Sequence, residues 1–240
     1  MSTDVISRAA ALMEVGRADQ AAALLSEALA TDPDNAWLLD ALATAELEFD
    51  PEAALETSQH LLGVQPDSYR GQYLAGSACY QLGKVKQGVE HARLAVEAAP
   101  SSPAAHALFA EAASRQSRGR KRAAQAAQRA IELAPQSTLG YVAAGNVELH
   151  QGYARVAAVW YEKALAIDPS DRAASVNLTA SRQAQSALAG AFKGARGLLA
   201  LDPRDAHARK VLDETVYTTA VHLMWVTVVA LFVLGVLRGV

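Results

Sequence analysis

Aromatic residues make up only 6% of this 240-residue chain, although 51% of it is hydrophobic. Much of that apolar content is alanine, a strong helix former that lets helices approach closely but fills a core poorly, which argues against a large β-core and for an all-α chain. Cysteine is nearly absent: Cys79 alone allows neither an internal disulfide nor a multi-cysteine metal site, and its apolar helical setting makes it a small core residue. The start of the chain lacks the basic residues and apolar run of an export signal, carrying Asp4 and Arg8 instead, so the N-terminal domain is expected in the cytosol. Phosphate loops, paired metal ligands and nucleophile arrangements are missing too, and the histidines (His60, His91, His106, His150, His207, His222) are scattered, none four residues from another. No enzyme, cofactor or metal is expected on these grounds.

The net charge of −3 hides an uneven distribution. Residues 1–60 hold twelve acids against Arg8 and Arg17, a balance of −10, which leaves +7 for residues 61–240. Such an electrical axis steers partners of opposite polarity.

What the chain does have is a period. Prolines fall at Pro33, Pro66, Pro100, Pro135, Pro169 and Pro203, at intervals of 33, 34, 35, 34 and 34 residues, and most follow an Ala-Leu, Ala-Val or Ala-Ile step. A helix must stop near each, because proline removes a donor and pushes its predecessor out of the α region. A second break lies half-way, at Gly16, Asp50-Pro51, Gly83, Gly119 and Gly152. Each unit reads helix, turn, helix.

This pattern resembles the tetratricopeptide repeat family, which combines a small residue in the first helix, glycine at the turn, alanine in the second helix and a closing proline. The clearest copy carries Tyr141, Gly145, Gly152, Ala157, Trp160, Tyr161, Ala164 and Pro169. The third keeps Gly76, Gly83, Ala95 and Pro100 but has Gly88 for the usual second-helix alanine, and the first keeps Ala9, Gly16, Ala21, Leu25, Ala28 and Pro33. Two copies depart: the second loses a residue at Phe49-Asp50-Pro51, and the sixth has Ser186 where the turn glycine belongs. The resemblance implies a right-handed superhelical solenoid over 1–203, with six hairpins at about 2–35, 36–68, 69–102, 103–137, 138–171 and 172–205. Gly76, Ala110 and Gly145 fall where two helices must approach closely.

The family's ligands lie along a concave face lined by the first helix of each hairpin. Carried over, that partner-binding row is Asp40, Thr44, Tyr73, Ser77, Tyr80, Glu111, Asn146, His150, Asn177 and Gln183, suited to an extended peptide or a helix of a protein partner. Chaperone-binding members clamp a C-terminal carboxylate between lysines, asparagines and arginine. Asn146 and Asn177 match the asparagines, but Val142, His207 and Val211 stand where cations are needed, so that ligand is not expected. Asn177-Leu178-Thr179 is a sequon by accident of a helical repeat. The densest basic run, Arg115, Arg118, Arg120, Lys121 and Arg122, reads first as a solvated turn, otherwise as a contact for anionic lipid head groups or an acidic partner; with no interleaved aromatics it is not a nucleic-acid site.

From Thr215 to Leu237 the chain carries 23 residues without a formal charge. As a helix they span about 34 Å, enough for a hydrocarbon core of about 30 Å. The expected order is a linker at 204–214, a transmembrane helix at 215–238 with Tyr217, His222 and Trp225 on its entry side, and a tail at 239–240, resembling tail-anchored proteins. The alanine-rich, lysine-poor composition points to a GC-rich bacterium and its plasma membrane. The expected function is a membrane-tethered adaptor; the alternative is an assembly or regulatory subunit of a larger membrane complex.

Overall fold

The computed structural model describes residues 2–201, with Lys210 and Asp213. Among the described residues there are eleven α-helices and no strands: α1 (Ser2–Glu14), α2 (Ala18–Leu29), α3 (Ala36–Glu46), α4 (Pro51–Val64), α5 (Tyr69–Gln81), α6 (Val85–Ala98), α7 (Pro103–Ser114), α8 (Arg120–Leu133), α9 (Thr138–His150), α10 (Ala154–Ile167) and α11 (Arg172–Leu201). Contacts divide the chain into two units, residues 1–178 and 179–240. In the first unit α1 to α10 pair as five consecutive hairpins, each packed on the next.

The period has a capping logic beyond the proline. Two residues after each of Pro33, Pro66, Pro100, Pro135 and Pro169 stands a side chain that accepts hydrogen bonds from the free N–H groups of the next helix: Asn35 from Trp37 and Leu38, Ser68 from Gly71, Ser102 from Ala105, Ser137 from Leu139, and Asp171 from Ala174. Each such cap contributes about 1 kcal/mol, so the proline ends one helix and its second successor starts the next.

The mid-hairpin turns use two devices. Gly16, Gly83 and Gly152 have φ of 74°, 68° and 81°, the left-handed region that only glycine enters freely. There the next residue's N–H returns to a carbonyl five residues back (Arg17 to Leu12, Lys84 to Cys79, Tyr153 to Glu148, each 2.9 Å), closing a Schellman motif. The second hairpin, one residue shorter, turns on Asp50 and Pro51 instead: the Asp50 carboxylate accepts from Ala53 N–H at 3.1 Å and Pro51 opens α4. Gly119 caps α8 with φ −84°; a Cβ there would strike the Ala113 carbonyl, so it is the close approach that requires glycine.

The sixth hairpin does not form. α11 runs unbroken from Arg172 to Leu201, through the expected turn at Ser186. A serine there pays the left-handed penalty that Gly16, Gly83 and Gly152 avoid, and no proline forces a stop, so the helix continues. Among the described residues no helix is long and apolar enough to cross a membrane. The expected spanning segment 215–238 lies outside them.

Alanine does much of the packing. The cluster between α7, α8 and α9 contains Ala107, Ala110, Ala113, Ala123, Ala126, Ala127, Ala130, Ala143, Ala144 and Val147. Cys79 is fully buried, as a core residue should be, and Gly88 faces it: a Cβ on Gly88 would lie 3.4 Å from Cys79 Cβ, ordinary contact. Gly76 and Gly145 do mark close approaches, against Leu108 and Ala92 in one case and the Tyr161 ring in the other.

Candidate functional site: a groove along the first helices

Because the capped helices α3, α5, α7 and α9 repeat at one register, equivalent side chains form rows. One row, four residues after each proline, reads Trp37, Arg70, Ala104, Leu139 and Ala173. The groove of about 330 Å³ that runs along these helices is lined by Tyr73, Ser77 and Tyr80 of α5, Ala104, Leu108 and Glu111 of α7, and Leu139 and Val142 of α9, with Leu47 and Asp171 at its ends. Four of the ten expected residues (Tyr73, Ser77, Tyr80, Glu111) therefore share one site.

The other six are placed differently. Asp40 accepts from Arg70 Nε at 2.9 Å, and Thr44 Oγ1 accepts from Arg70 Nη2 at 2.9 Å, so both are tied to the next repeat. His150 lies in a separate hollow with Ser114, Arg115, Gln116, Ser117 and Gln151, its Nδ1 sharing a 2.6 Å hydrogen bond with Ser114 Oγ. Burial holds the His150 pKa below the usual histidine value, and Arg115 adds to the effect. Asn146 and Asn177 bond each other, Asn177 Nδ2 donating to Asn146 Oδ1 at 2.9 Å, which also occupies the sequon asparagine. Gln183 belongs to the second unit, where its carbonyl accepts from Ser186 Oγ.

Glu111, on the groove wall, belongs to a polar network with residues that do not line the groove. Asn146 Nδ2 donates to Glu111 Oε1 at 2.7 Å, while Asn146 Oδ1 accepts from the Tyr161 hydroxyl at 2.7 Å and from Asn177. An ionised carboxylate can only accept, so the amide nitrogen must face Glu111 and its oxygen must face the two donors. Glu111 Oε2 has no hydrogen-bond partner among the described residues. Desolvation raises the Glu111 pKa above the ordinary carboxylate value, against the opposing pull of Asn146 and Arg115.

That shift has a signed consequence. A carboxyl whose folded pKa is raised destabilises the fold at every pH above that pKa, and the penalty disappears as pH falls toward the unfolded value near 4.5. Glu111→Gln is therefore expected to unfold at a higher urea midpoint than wild type at pH 7.5, the difference vanishing near pH 4.5. Paired urea melts at the two pH values check it; a destabilised variant at pH 7.5 would contradict the assignment. Glu46, buried and accepting from Thr57 Oγ1 at 2.7 Å, is raised for the same reason and is left unchanged in both proteins.

Three of the five residues of the basic run have partners inside the fold. The Arg115 guanidinium stacks 3.8 Å above the Tyr80 ring and donates to the Tyr80 carbonyl at 2.8 Å. Arg120 lies 4.5 Å over Tyr153 and 3.3 Å from Glu148, and Arg122 donates to Gln116. Arg118 and Lys121 are exposed.

Two residues of the face were not anticipated: Trp37, 76% exposed, and Leu139, 45% exposed. Trp37 shares a face of α3 with Asp40 and Thr44. Both occur at the same distance from their prolines, a regularity that would have disclosed them.

The array is similar in fold to a thermophilic TPR protein of Thermus thermophilus, at 21% identity and a TM-score of 0.66 over 76% of this chain and all of the other. It is also similar to MamA from Desulfovibrio magneticus (18% identity, TM-score 0.55, 71% of this chain and 96% of the other). A third likeness is to YrrB, described as a TPR protein with an unusual peptide-binding site (19%, TM-score 0.50, 71% and 88%). No family model and no curated protein sequence matches the chain. At these identities the likeness establishes the tetratricopeptide fold.

Proposed function

We propose that the chain is a non-enzymatic interaction scaffold whose groove over α5, α7 and α9 binds a peptide segment of a protein partner, and whose segment 215–238 tethers the complex to a membrane. The observation that carries the binding role is the groove itself: Tyr73, Leu108, Leu139 and Val142 line it with apolar groups, and the Glu111 carboxylate stands among them. A soluble domain leaves such surface open when something else covers it. The resemblance in fold to a protein with a peptide-binding site supports this reading.

The tether rests on sequence. Twenty-three residues without a formal charge are long enough to span, and Val226 to Leu234 is apolar around the whole helix except at Thr227. A solenoid cap would instead show a polar outer face. Carbonate extraction of the full chain beside a version ending at Leu212 tests it: the full chain should stay in the pellet and release only with detergent, while the shorter one should wash off. Full-length protein extracted by carbonate alone removes the tether from the proposal and leaves the groove.

A further inference from the structure

We propose that the groove's occupant carries a lysine or arginine, and that this cation sits against the Glu111 carboxylate with apolar neighbours on Leu139 and Val142. The inference rests on the peptide-binding reading above and gives it a chemistry.

Glu111 is half-buried on the groove wall, with one oxygen held by Asn146 at 2.7 Å and the other without a hydrogen-bond partner among the described residues. The cation whose charge reaches it, Arg115, is stacked on Tyr80 and bonded to the Tyr80 carbonyl and makes no ion pair with it. Asp171, at the groove's edge, adds a second negative group whose bond goes to the Ala174 N–H. A carboxylate in this position loses part of its hydration and gains no ion pair from the described residues, which an incoming ammonium or guanidinium supplies through charge-assisted bonds.

The wider field has the same sign. Residues 1–60, the first hairpin and most of the second, carry twelve acids against two bases. A basic segment is steered toward that end of the array, and an acidic one is repelled. A free C-terminal carboxylate is disfavoured for the same reason: the two asparagines that would help hold it are bonded to each other, and Asn146 to an acid.

The test uses the full chain in detergent micelles and three fluorescent pools of twelve-residue peptides, each with leucines at fixed positions flanking one central residue that is lysine, norleucine or glutamate. The lysine pool is expected to bind about tenfold more tightly than the norleucine pool at low salt, and the glutamate pool more weakly than either. Glu111→Gln, which keeps the bond from Asn146, should erase the lysine advantage, and 0.5 M salt should shrink it. If norleucine peptides bind and lysine adds nothing, or if Glu111→Gln leaves the advantage intact, the cation site is wrong while the groove stands. If no pool binds, the groove reading fails and takes the cation site with it. Leu139→Asp separates these cases, since it should weaken the norleucine pool whenever the groove is the site.

Discussion

Gly145→Ala is expected to lower stability by about 2 kcal/mol, although alanine is the better helix former by about 1 kcal/mol. The added Cβ would land on the ring of Tyr161 across the hairpin. That ring cannot retreat: Tyr161 is fully buried and its hydroxyl is fixed 2.7 Å from Asn146 Oδ1. Overpacking a site without slack costs about 1–3 kcal/mol or more, and here it exceeds the propensity gain. Leucine at this position should prevent the fifth hairpin from closing. The control is Gly63→Ala in α4, where a Cβ meets nothing within 4 Å. The same substitution there should raise stability by a few tenths to about 1 kcal/mol. Urea melts of both variants check the pair. A neutral Gly145→Ala would mean that α9 and α10 can separate without loss, and that the glycine reports only ancestry.

Much of the array was legible because its punctuation is chemical. Proline, a left-handed glycine and an oxygen-bearing side chain two residues after the proline each have one physical role, so their spacing gives the five hairpins directly. The expected sixth hairpin is where the reading failed: Ser186 offers neither a left-handed glycine nor an Asp-Pro step, and α11 runs on. The groove was harder to read. Its row came from the family resemblance, and of that row Tyr73, Ser77, Tyr80 and Glu111 line one groove. But register says which face a residue is on, not whether its side chain is already engaged. Asp40 and Thr44 look available in sequence and are occupied by Arg70, thirty and twenty-six residues away. Arg115 reads as part of a solvated basic run, whereas a tyrosine from the preceding hairpin holds it. Such pairings join neighbouring repeats, and no local pattern announces them.

Asn146→Leu should be costly for a different reason, and a second substitution should recover part of the cost. Asn146 joins Glu111 of α7, Tyr161 of α10 and Asn177 of α11, through bonds of 2.7, 2.7 and 2.9 Å. Leucine fills similar space but offers neither donor nor acceptor. It leaves the Tyr161 hydroxyl inside the protein without its partner, and Glu111 without the donor that opposes its desolvation. Asn177 Nδ2 loses its acceptor as the third group; with a stranded buried polar group costing about 1–3 kcal/mol, a loss of about 3 kcal/mol or more is expected. Tyr161→Phe alone removes one bond and costs about 1 kcal/mol. Added to Asn146→Leu it removes the stranded hydroxyl itself, so the double variant should be more stable than Asn146→Leu by about 1 kcal/mol. A double-mutant cycle in urea reads that coupling directly. Strict additivity of the two losses would show that the hydroxyl finds water or another partner once Asn146 is gone, and that the amide does not tie the groove wall to the helices behind it.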